Sequence, residues 1–138
     1  MLRPESKARA RALQLLYARE LRPEESIRVL ADAAVGLCRR GGGPIVERAE
    51  ELANAVVSDI ESLDRQAADA AENWRLNRLS IVDRNILRLG IWELQATPLP
   101  PKVAIDEAVR LAHWFGGEKS PGFVNGVLDG VARSLGRL

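Results

Sequence analysis

Apolar residues recur along almost the whole chain at spacings of three and four, the signature of helices that bury one face. Segment 5–21 sets Leu13, Leu16 and Glu20 near one side, with Lys7, Arg11, Gln14 and Ala18 at i, i+4, i+7 and i+11 along another. Pro23 suits the first position of a second helix, with Glu24 and Glu25 at its positive dipole end. Ile27, Leu30, Ala31, Ala34 and Cys38 form its apolar stripe, and Gly41-Gly42-Gly43-Pro44 breaks the pattern. From Pro44 a longer pattern runs through Ile45, Ala49, Leu52, Val56, Ile60, Leu63 and Ala67, as one helix or as two joined near Leu63-Asp64.

Trp74 to Leu79 reads as a turn, and Ser80-x-x-Asp83 as a capping pair opening a helix with Val82, Ile86, Leu89 and Gly90 inward. Pro98-Leu99-Pro100-Pro101 cannot be helical. Ile105, Ala108, Val109, Ala112 and Phe115 make the next stripe, stopped by Gly116-Gly117. Ser120-Pro121 reads as N-cap and first position of a last helix lined by Val124, Val127, Leu128, Val131 and Leu135. Gly122, Gly126 and Gly130 recur every fourth residue in it, a row read as a close helix contact. The pattern predicts six to eight helices, no strand and no solenoid repeat: an all-α fold.

A chain of 138 residues fits one domain, residues 1–138. Net charge is +1, but residues 1–22 carry a net +4 and the remainder −3. A basic end on a mildly acidic body is a footprint of nucleic-acid contact, and equally that of a solvated helix face. Residues 47–72 hold eight acids and two arginines, an acidic stretch unsuited to phosphate. The single cysteine, Cys38, excludes an intramolecular disulfide, and the single histidine, His113, a His-rich metal centre. With no signal-peptide pattern and no apolar run of about 20 residues, a soluble, cytoplasmic protein is expected.

No catalytic constellation rises above background, so no enzyme, cofactor or metal is expected. The Gly41–Gly43 run lacks the Lys-Ser/Thr of a phosphate-binding loop. Arg88, between Leu87 and Leu89, and Glu107, between apolar positions of the next helix, call for partners, because an unpaired charge near a core costs several kcal/mol. The expectation is a structural ion pair of Arg88 with Glu107, or with Glu93. Phe123, early in the last helix and near Lys119, could stack on an unpaired base or close the core.

Four blocks carry a family resemblance. Ala8-Arg9 followed by Ala12-Leu13-Gln14-Leu15-Leu16-Tyr17 resembles the "ARExALQxLY" helix of the NusB family. Val82 to Leu94 is similar to its "VDRAILRLAxYEL" segment, and Val103-Ala104-Ile105-Asp106-Glu107-Ala108-Val109 with Phe115-Gly116 to "VAINEAVELAKKFG". Phe123 to Asp129 matches "FVNGVLD" without a change. The resemblance implies a NusB-like helical bundle of about seven helices in two subdomains, without enzymatic activity. It implies binding of boxA-type single-stranded RNA from ribosomal RNA leaders, together with NusE, a small-subunit ribosomal protein. The complex then joins other Nus factors on the elongating RNA polymerase. It places RNA on the first helix and near the start of the last, on Lys7, Arg9, Arg11, Gln14, Tyr17, Lys119 and Phe123, and NusE at Asp83.

The chain also departs from the family. Arg3-Pro4-Glu5-Ser6-Lys7 stands where the family has an arginine run, Ala10 replaces the acid after "AR", and Asp106 and Trp92 replace asparagine and tyrosine. Fewer phosphate contacts imply weaker, less salt-sensitive binding. The alternative function is therefore a helical protein-interaction adaptor that retains NusE binding with weak or no RNA binding.

Overall fold

The computed structural model describes residues 3–38, 43–71 and 79–138. Among these the chain forms seven helices and no strand: α1 (Pro4–Leu21), α2 (Ile27–Cys38), α3 (Pro44–Ser58), α4 (Ile60–Ala70), α5 (Ile81–Ala96), α6 (Pro101–Phe115) and α7 (Ser120–Ser134). The all-α expectation holds. The chain divides into two compact units, Met1–Val57 and Ser58–Leu138.

In the first unit α1 opens with Pro4 in its first turn, where a missing N–H leaves no bond unmade. Pro23 does not open α2. It occupies the second position of a turn in which the Glu25 N–H donates to the Arg22 carbonyl at 3.0 Å. The ring's fixed φ serves that position as readily as a helix start. Ser26 takes the capping role instead, its Oγ accepting from the Val29 N–H at 3.2 Å. Gly43, at φ +133°, gives the chain a backbone that favours glycine just before Pro44. Ala8, Ala12, Leu13, Leu15 and Leu16 of α1 are buried, as are Ile27 and Ala31 of α2 and Ala49, Leu52, Ala53 and Val56 of α3. The side chains of Ala34 and Cys38 lie outside the described residues, as do Gly41, Gly42 and the expected turn from Trp74 to Arg78.

The second unit is built around α5, which packs against α4, α6 and α7. Asn85 to Ile91, Glu93 and Leu94 are all buried, so α5 has almost no solvent face. Gly90 permits the closest approach: a Cβ there would lie 2.7 Å from Leu128 Cδ1 and 3.4 Å from the Ala108 Cβ. The break in the long pattern falls at Asp59, not at Leu63-Asp64. Asp59 leaves helical geometry, at φ −122° and ψ 19°, and its Oδ2 accepts from Gln95 Nε2 at 2.9 Å, tying the start of α4 to the end of α5. Arg137 Nη1 and Nη2 donate to the carbonyls of Leu94 and Leu99, supplying partners to backbone acceptors around the end of α5.

Three expectations about faces are corrected. Phe115 and Leu135, read as core positions, are exposed, each at the end of its helix. Gly122 and Gly126 face open space, and only Gly130 of the glycine row approaches another helix, 3.6 Å from the Ala70 Cβ. Pro101 is helical, entering α6 at a first-turn position.

Candidate nucleic-acid interface

On α1 the buried side chains take one face, and the opposite face is left to Lys7, Arg11 and Gln14, all exposed. At about 100° per residue these three fall within about 60° of one another, with Tyr17 beside them. Tyr17 is 41% exposed. Glu5, two residues before Lys7, is engaged by Arg48 of α3, Nε to Oε2 3.5 Å. Arg9 does not belong to the stripe. It lies about 200° round the helix from Lys7, is 5% exposed and has an interaction partner of its own. Its guanidinium is thereby removed from the set available to phosphate.

In the second unit the α6–α7 turn carries the other two residues. Lys119 is exposed, and Phe123 is half-buried with a contact of its own, so the ring neither stands free nor disappears into the core. Asn125, Gly122 and Gly126 flank it on the exposed side of α7. Ser120 is not the N-cap: the cap position is Lys119, without a side-chain bond, and Ser120 is 5% exposed in the first turn. The Ser120 hydroxyl accepts from the Gly117 N–H at 2.9 Å and donates to Asp83 Oδ2 at 3.0 Å. Gly116 is needed where it stands, since a Cβ would lie 2.6 Å from the Ser120 Cβ and 2.8 Å from the Ala112 carbonyl oxygen.

Asp83 sits in the first turn of α5. Its N–H donates to Ser80 Oγ at 3.0 Å, the cap read from the sequence. Its carboxylate turns instead to Ser120, and the other oxygen, Oδ1, is buried without a hydrogen-bond partner.

Arg88 is buried, as its apolar flanks required, and Asp64 of α4 grips it. Nε meets Oδ1 at 2.7 Å and Nη2 meets Oδ2 at 2.9 Å, a bidentate pair, while Nη1 donates to Asn85 Oδ1 at 3.0 Å. Glu93 and Glu107, the partners read from the sequence, are buried and each has an interaction. Asp64, Asn85 and Ser120 were missed. A polar residue set inside an apolar run marks Asn85, but nothing in the pattern marks which acid of the 47–72 stretch turns inward.

Among the described residues no cluster of His, Cys, Asp and Glu is placed to hold a metal ion, and no helix is long and apolar enough to cross a membrane. The described residues form an all-helical protein with exposed cations and a half-exposed tyrosine along α1. Over residues 6–133 it matches the sequence model of the NusB family. The chain belongs to the NusB family of transcription antitermination factors. It is 43% identical over 136 residues to the transcription antitermination protein NusB of Sorangium cellulosum, covering 96% of this chain and 94% of that protein. Among solved structures it is similar to T. maritima NusB, with a TM-score of 0.83 and 32% identity over 96% of this chain and 93% of that one. It is also similar to a chain in the crystal structure of the antitermination factors NusB and NusE in complex with double-stranded RNA, with a TM-score of 0.82 and 30% identity. That match covers 97% of this chain and 99% of the other.

Proposed function

We propose that this chain binds boxA-type single-stranded RNA of ribosomal RNA leaders together with NusE, and so joins other Nus factors on the elongating RNA polymerase. The observation that carries the reading is the likeness, over nearly the whole chain, to a protein crystallised with NusE and RNA. The role is one of binding, not catalysis, exercised in the bacterial cytoplasm by residues 1–138 as one RNA-binding domain. Lys7, Arg11 and Lys119 hold phosphates, which contribute affinity with little sequence choice. Tyr17 and Phe123 offer ring faces to unstacked bases, and Gln14 presents both a donor and an acceptor to a base edge. Asp83 is assigned to the contact with NusE.

Titrating a boxA-like RNA with and without NusE tests the proposal. Binding of the RNA that NusE tightens is the expected result; NusE binding with no measurable RNA affinity would establish the adaptor reading instead. That second reading draws its support from the burial of Arg9, which leaves fewer exposed cations on α1 than the sequence suggested. Asp83→Asn, which keeps the side chain's shape, should weaken NusE binding in a calorimetric titration. Unchanged affinity would leave Asp83 with no part in that contact.

A further inference from the structure

Asp83 and Ser120 are brought together across 37 residues of sequence by the packing of α5 against α7. Three polar links converge there: the Ser80 Oγ cap on the Asp83 N–H, the Ser120 hydroxyl on Asp83 Oδ2, and the Gly117 N–H on Ser120 Oγ. The Ser120 N–H also donates to the Gly117 carbonyl at 3.1 Å, so that the Gly117–Ser120 segment is held at both ends. Gly116 admits no side chain beside Ser120, which leaves the turn little room to settle another way. Lys119 lies inside the segment so held, and Phe123 follows one turn later, its N–H donating to the Lys119 carbonyl at 3.2 Å. The α6–α7 turn is therefore clamped from below by a side chain of a different helix.

From this arrangement we infer that Asp83 is a positioning residue for RNA binding: through the Ser120 hydroxyl it sets the turn from which Lys119 and Phe123 are presented. The inference rests on the assignment of those two residues to RNA, and it gives Asp83 a task separate from any contact with NusE. A carboxylate kept for the sake of solvent would not bury one oxygen without a partner. Its other oxygen, committed to Ser120, is what the position requires. A hydroxyl that accepts and donates at once also passes the loss of either neighbour on to the other.

The test uses the full-length chain without NusE, so that contact with that partner does not enter. Ser120→Ala and Asp83→Ala should each weaken boxA-like RNA about tenfold, the effect of one charge-assisted hydrogen bond. The double variant should lose no more than either single one, because both act through the same link. Asp83→Asn retains an acceptor for the hydroxyl and should restore most of the affinity. In parallel, the Gly117 amide should exchange with solvent faster in the alanine variants and near the wild-type rate in Asp83→Asn. Phe123→Ala and Lys119→Ala serve as the reference. If these two weaken RNA binding while folded Ser120→Ala does not, the positioning role is overturned and the RNA assignment stands. If Phe123→Ala and Lys119→Ala bind as wild type, both are overturned. Additive losses at Asp83 and Ser120 would also reject the shared link, and should Asp83→Ala not fold, the RNA affinity of folded Ser120→Ala and Asp83→Asn decides the question alone.

Discussion

Replacing Arg88 by alanine strands Asp64 Oδ1 and Oδ2 and Asn85 Oδ1 at once, all three of which the guanidinium now satisfies. Removing one member of a fully buried pair costs about 3–5 kcal/mol, but the Asp64 side chain is 32% exposed and water can reach it. A loss of roughly 2–3 kcal/mol is expected, seen as a fall in melting temperature on the order of 10 °C. Melting within a degree or two of wild type would show the pair to be dispensable. At this scale the sequence was half legible. That Arg88 needed a partner followed from Leu87 and Leu89; which partner did not, because Asp64 lies among eight acids that share one helical pattern. Arg9 was legible by angle, since it falls beside Leu13 and Leu16 on the helix, and the family resemblance alone set it among the RNA contacts.

Between helices, glycine means opposite things at Gly90 and Gly126. Both sit inside helices at ordinary φ, and from spacing alone the row in α7 looked the better candidate for close packing. Gly90→Ala places a methyl 2.7 Å from Leu128 Cδ1 and 3.1 Å from its Cδ2, so this fully buried side chain must shift. Overpacking of about 1–3 kcal/mol outweighs the gain in helix propensity of roughly 1 kcal/mol, so this variant should unfold at lower urea concentration. Gly126→Ala meets nothing within 4 Å and keeps the propensity gain, so it should unfold at higher concentration by up to about 1 kcal/mol. The reverse order of midpoints would mean that α5 and α7 do not pack as described. Helix existence was legible throughout because burial on one face imposes a period. Helix ends were less so: proline has the same φ in a turn as at a helix start, and Pro23 was assigned to the wrong one of the two.

For the molecule as a whole, net charge understates the field, since the +4 of the first 22 residues is offset elsewhere. If Lys7 and Arg11 each neutralise a phosphate, the slope of log affinity against log salt should flatten by roughly 0.7 for each alanine substitution. Phe123→Ala should shift affinity with little change of slope. Equal slopes in all three proteins would remove the distinction between charge and stacking contacts. The all-helical class and the basic end are legible in pattern and composition, and the family in the four blocks that resemble it. The Asp83–Ser120 link is not, since it joins residues that only the packing of α5 on α7 makes neighbours.

The enclosure of α5 on nearly every side has a consequence for how the protein is made. Residues 81–96 leave the ribosome before residues 101–134, which supply α6 and α7. At bacterial rates of chain growth of about 5–20 residues per second, the sides of α5 that those helices cover wait about 2–8 s for them to arrive. During that interval the earlier α4 is the neighbour within the unit already present for Ile86, Leu87, Leu89, Ile91 and Leu94, and Arg88 already has Asp64. The ion pair thus joins two helices in the order in which they are synthesised, and the nascent chain can hold α4 and α5 together before the rest of the unit exists.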